Sequence, residues 1–226
     1  ATLLHDDVID NSNVRRKQFT VNKKWDNKTA ILVGDFLYSR AIQLVTEVHN
    51  LNVLNIITTT TNFTAEGEIL QLILQKKEII SEEDCFTIIQ NKTAKLFEAT
   101  TAIAVVMLQN NNTTIEDQNL VDNIKEYGYH FGIAYQLLND TIDCDLNLEK
   151  NTKKYNDLQD GKLTIPILHC LRVCNVTERN YIKFRIGKKI IKKEKEKIYN
   201  ILKKRKSFLY TRKLIKIQTL VALSSL

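Results

Sequence analysis

The chain has 226 residues, 43% of them hydrophobic, with one proline, six glycines and a net charge of +7. The apolar share is enough for a sizeable core, and the shortage of breakers excludes a sheet of many short strands, which needs turn chemistry this chain lacks. The basic excess lies between Lys183 and Lys216 while acidic residues cluster near the start and middle, so a wholly basic groove is not implied.

Taken in order, Ala1 to Asp10 reads as the end of a helix. It opens on an apolar run with no cap before it, so an N-terminal part is expected to be missing. Asn11 to Lys24 is polar and charged, and is expected to be a loop. Trp25 to Val48 carries helical spacing through Ile31, Leu32, Phe36, Leu37, Ala41 and Leu44. Asn50 to Lys77 is a second helix, weakened but not forbidden by the threonine run Thr58 to Thr61. Ser81 to Asp84 matches a capping box, and an apolar helix follows to about Leu108. Asn110 to Thr113 is a turn, and Thr114 to Asp117 caps a long helix towards Leu148. Glu149 to Gly161 is a polar loop. Leu163 to Val173 is helical with Pro166 near its start, where a missing N–H costs least. From Lys188 two basic helices run to Leu226. No repeat or linker interrupts this pattern, so residues 1–226 are expected to form one all-α domain.

Cys85, Cys144, Cys170 and Cys174 make no disulfide framework in a chain of this length, and no second pair completes a zinc site with Cys170 and Cys174. Buried free thiols are expected. No signal peptide is expected, and no apolar run approaches the ~20 residues of a membrane span. Reduced cytoplasm is the expected compartment.

Two acidic clusters carry the chemistry. In Asp6-Asp7-Val8-Ile9-Asp10, Asp6 and Asp10 stand one helical turn apart on one face. Their repulsion must be offset, and magnesium does so well, bridging carboxylates to substrate phosphates. The bland alternative is a solvated acidic helix end. In Asn139-Asp140-Thr141-Ile142-Asp143, with Asp145 beyond, the acids follow an apolar stretch from Phe131 to Leu138, and Gln136 lies one turn before Asp140. Two such clusters facing each other across a cavity suit the neutralisation of a diphosphate leaving group. A basic set accompanies them: Arg15-Arg16 in a loop, Lys92-Thr93 within an apolar helix, and Lys162 after Gly161. Cations beside acid-bound magnesium hold diphosphates by charge and fork geometry; for Lys92 the alternative is a snorkelling side chain on a helix flank.

These stretches resemble the trans-type polyprenyl diphosphate synthases. Leu3 to Asp10 followed by Arg15-Arg16 is similar to the family's first aspartate-rich motif, and Tyr135 to Asp143 to the second. Val33 to Leu37, Gly67 to Gln71, Lys92 to Phe97 and Asp157 to Pro166 match further family stretches in the same order. Bacterial octaprenyl diphosphate synthases are the branch most similar in flavour.

The resemblance implies an isoprenoid synthase-type helical bundle around a central cavity. It implies a magnesium-dependent condensation of an allylic diphosphate with isopentenyl diphosphate, giving a long all-trans chain, octaprenyl, for a respiratory quinone tail. Asp6, Asp10, Asp140 and Asp143 would ligate Mg2+. Arg15, Lys92, Thr93 and Gln136 would contact the allylic substrate, and Arg16 the isopentenyl diphosphate. Lys153 and Lys162 are candidates for a further diphosphate contact, and Asp6, Asp10, Arg15, Lys92 and Asp140 would carry catalysis. Ala1 and Thr2, a turn before Asp6, would lie where a growing tail descends. A homodimer is the family expectation, with no nucleic acid partner and peripheral contact with a membrane through the basic C-terminal helices. Departures are the missing start, Asn139 where the family has aspartate, the absence of its glycine-containing pattern over Thr152 to Asn156, and shortening over Thr177 to Lys188. These leave a non-catalytic partner subunit as the alternative reading, and a basic nucleic-acid or membrane-surface binder as a more distant one.

Overall fold

The computed structural model describes residues 1–15, 17–75, 77, 80–110, 118–148 and 154–226. Its residues fall into two compact units, Ala1–Asn55 and Ile56–Leu226. In the first, α1 (Thr2–Ile9) and α3 (Asn27–Thr46) pack together with a helical turn, α2 (Val21–Lys24). The stretch expected to be a loop carries a two-residue antiparallel pair, β1 (Val14–Arg15) against β2 (Gln18–Phe19). The end of α1 is braced from this segment: Thr20 donates to the carbonyl of Ser12 at 2.7 Å, and Asn22 donates to those of Asp7 and Ser12. Asp26 caps α3 by accepting the Thr29 N–H at 2.6 Å, which sets its start at Asn27, two residues after the tryptophan-led expectation.

α4 (Leu51–Leu74) includes the threonine run. Thr61 in that run, and Thr64 beyond it, satisfy their hydroxyls on the carbonyls of Ile57 and Thr60, one turn back in the helix. The second unit continues with α5 (Glu82–Ile89), a five-residue π-helical turn (Gln90–Ala94) and α6 (Lys95–Asn110). It then contains α7 (Gln118–Cys144), α8 (Asn156–Gln159), α9 (Ile165–Val173), α10 (Val176–Lys183), α11 (Lys192–Lys204) and α12 (Ser207–Ser224). The capping box expected at Ser81 is present in both directions with Asp84. The turn expected over 110–113 and the cap over 114–117 lie outside the described residues, Asn110 aside, which ends α6.

α7 is the spine of this unit. α6 and α12 pack along it, and His130 Nδ1–H donates to Gln218 on α12 at 2.6 Å. One buried cluster, including Cys85, Ile89, Ala94, Ile133, Leu137 and Ile165, joins α5, the π turn, α7 and α9. A second gathers α8 to α12 around Tyr155, Ile182, Ile198 and Leu202. All four cysteines are buried free thiols, as expected. Among the described residues no helix is long and apolar enough to cross a membrane.

Candidate active site

The π turn decides where the chemistry gathers. It is wider than an α turn, and such insertions concentrate at functional sites. On an α-helix consecutive side chains diverge by about 100°; here Lys92 and Thr93 line one cavity together. Two glycines let neighbouring helices close on the wide turn. A Cβ on Gly67 of α4 would stand 3.0 Å from the Lys92 amide nitrogen, and one on Gly132 of α7 would stand 2.7 Å from the Ala94 Cα. Gly132→Ala is therefore expected to force backbone apart and cost about 1–3 kcal/mol. A thermal melt checks this: an unchanged Tm would show that the turn yields freely.

From this turn a hydrogen-bonded chain crosses the cavity. Thr93 Oγ1 donates to Gln136 Oε1 at 3.1 Å, and Gln136 Nε2 donates to Asp140 Oδ1 at 2.8 Å. Because Asp140 accepts and Thr93 donates, the Gln136 amide is oriented from both sides. The Lys92 ammonium pairs with Glu68 on α4, one turn from Gln71. Asp157, Gly161 and Lys162 close the cavity from the segment after α7, and Leu74, Ile80, Ile88 and Ile89 supply apolar walls.

The electrostatics are those of crowded, dry carboxylates. Asp140 is 4% exposed. Burial, with the Asp157 charge next, pushes its carboxyl up to about 8; Gln136 and Lys92 oppose the shift only in part. Asp143, one turn on, is also raised by burial and by Asp157, against backbone N–H donors that include Asn156 at 3.0 Å. Burial holds the Cys85 thiol neutral, so it acts as apolar lining. Among the described residues no three His, Cys, Asp or Glu side chains converge to hold one metal ion by themselves. Oxygen donors that repel one another in a dry site nonetheless suit a hard divalent cation whose remaining ligands come from a phosphate.

The structure thus brings together Lys92, Thr93, Gln136, Asp140 and Lys162 of the expected residues. Asp143 stands beside them on α7 without lining the cavity, and so does Asn139. Asp6, Asp10 and Arg15 belong to the other unit. There Asp6, on α1, and Asp10, the residue that caps its C-terminus, are half-buried and one turn apart. Arg15 Nε donates to Asp7 at 2.9 Å, so the buried acid of that cluster, given no role in the sequence reading, is the one that holds the arginine. Arg16 and Lys153 lie outside the described residues. Glu68, Gln71 and Asp157 were also without roles. The signal was available for the first two, which stand three apart after Gly67 and therefore share a helix face. Asp157 gave none, since its approach to Asp140 depends on how the chain returns after α7.

A model of the family described as polyprenyl synthetase matches residues 1–202. The octaprenyl diphosphate synthase of Escherichia coli (strain K12) is 39% identical over 172 residues, covering 76% of this chain and 51% of the relative. The chain spans about half the length of the curated relatives it matches. A decaprenyl diphosphate synthase from Rhodobacter capsulatus superposes with a TM-score of 0.89 at 31% identity, over 99% of this chain and 68% of that one. A polyprenyl synthase from Caulobacter crescentus, complexed with calcium and isoprenyl diphosphate, gives 0.89 at 28% identity over 99% and 67%.

Proposed function

This chain belongs to the polyprenyl synthetase family, and from that premise we propose that the whole protein lengthens an allylic diphosphate by condensing it with isopentenyl diphosphate. The observation that carries the reading is the cavity in which Lys92, Thr93, Gln136 and Asp140 meet. Lys92 offers positive charge where a diphosphate leaves. Thr93 and Gln136 hold Asp140 in place through their two hydrogen bonds. Asp140 and Asp143 would hold one Mg2+, and Asp6 and Asp10 would hold another; bound there, the metal would supply positive charge against that of a leaving diphosphate. Arg15, Arg16, Lys153 and Lys162 contact substrate diphosphates. The apolar walls keep water from the cationic fragment. The relative crystallised with calcium and isoprenyl diphosphate supports this pairing of divalent cation and ligand.

The product is a long all-trans chain, octaprenyl in this reading and fit for a quinone tail. Octaprenyl and decaprenyl synthases among the relatives, and the small Ala1 at the head of α1, support it. Residues 1–226 act as one synthase domain in a homodimer, and the basic C-terminal helices rest on a membrane surface. Purified full-length protein should incorporate labelled isopentenyl diphosphate onto an allylic primer only with Mg2+. No incorporation with any primer would favour a non-catalytic partner subunit. Ala1→Phe should shorten the product, read by chromatography of the dephosphorylated prenols; unchanged length would remove Ala1 from the tail path.

A further inference from the structure

Gln71 stands one turn from Glu68 on α4, and both α4 residues serve the same corner: Glu68 holds Lys92, and Gln71 lines the cavity beside it. Its Nε2 is buried and has no hydrogen-bond partner. A buried donor left unmade is costly, and native chains keep few of them. The neighbours offer no remedy. Lys92 is itself only a donor, and the Gln136 amide is already engaged at both ends by Thr93 and Asp140. The carboxylates nearby, Glu68 on Lys92 and Asp140 and Asp157 in the cavity wall, do not take this N–H, and the cavity leaves room for a further acceptor to enter.

We propose that Gln71 is a substrate-binding residue that donates its side-chain N–H to an anionic diphosphate oxygen bound beside Lys92. The proposal rests on the reading of this cavity as a diphosphate site and adds a neutral donor to it. A neutral donor next to a lysine gives direction where the ammonium gives charge: the lysine attracts any anion, and the amide favours one whose oxygen lies along its N–H. The residue needs neither to titrate nor to touch the reacting carbon.

Binding of inorganic pyrophosphate with Mg2+, by titration calorimetry on the full chain, tests this. Gln71→Leu keeps the volume and removes the donor. It should weaken pyrophosphate by about tenfold or more, since a hydrogen bond to a charged group is involved, while the ligand-free Tm stays level or rises because an unpaired polar group has gone. Gln71→Glu should weaken binding further by placing a carboxylate against the anion. Unchanged pyrophosphate affinity in Gln71→Leu overturns the proposal, as does a fall in ligand-free Tm that accounts for the loss. Tighter Mg2+ binding by Gln71→Glu, with pyrophosphate affinity kept, would instead make position 71 a metal-side residue and also overturn it. Lys92→Ala separates the two levels of the argument. If it abolishes binding while Gln71→Leu does not, the cavity remains a diphosphate site and Gln71 alone is wrong. If the unaltered protein binds no pyrophosphate, both fail together.

Discussion

Asp140→Asn will make the metal-free protein more stable at pH 8 while cutting prenyl transfer by about 100-fold or more. The two effects share one cause. Unfolded, the Asp140 carboxyl ionises near 3.8; folded, burial and Asp157 keep its proton on up to about 8. Between those values unfolding releases a proton, so the contribution of Asp140 to metal-free stability is fully present below about pH 4 and is lost as pH rises through the window. Asparagine has no proton to lose, so this part of the slope disappears and the gain grows towards pH 8. The same substitution removes a negative oxygen donor, so the protection against heat that Mg2+ should give the unaltered protein should be lost in the variant. Melting curves at pH 5 and pH 8, with and without Mg2+, read all of this. A variant whose Tm declines between pH 5 and 8 as steeply as the parent's would show that Asp140 is not the group that resists ionisation.

Lys92→Met should have the other large effect, a fall in turnover of about 100- to 1,000-fold, with a loss of about 1–2 kcal/mol in stability. The stability loss comes from Glu68, whose side chain is 14% exposed and would keep its charge without its partner. Pairing the change with Glu68→Gln removes that stranded charge. The double variant should therefore recover its Tm and not its turnover. Recovery of turnover as well would reduce Lys92 to a packing element. The stability figure is smaller than for a fully buried pair, because the Lys92 side chain is 26% exposed and water screens it.

Much of this was legible in the chain itself. Ser81 and Asp84 announced a helix start because a cap is a contact between residues three apart. The long helix that becomes α7 and the proline at the head of α9 were legible for the same reason. α10 was overlooked although Asn175 and Glu178 carry its cap in plain view, with the Asn175 side chain accepting the Glu178 N–H at 2.9 Å. One described residue of the stretch that lacks the family's glycine takes a backbone conformation suited to glycine. Tyr155 itself adopts φ 60°, a left-handed conformation that glycine takes at no cost, with its ring wholly buried in the second core.

By itself, the sequence determined the helical class, most helix starts, and which residue types were available for diphosphate chemistry, because each of these depends on neighbours within a turn or two. Only the tertiary structure decided that Lys92 and Thr93 share a cavity, that Glu68 rather than solvent holds the lysine, and that Asp157 crowds Asp140. Thr93 and its partner Gln136 are 43 residues apart. Proton affinity, pairing and burial are set by such distant neighbours, and no local pattern encodes them.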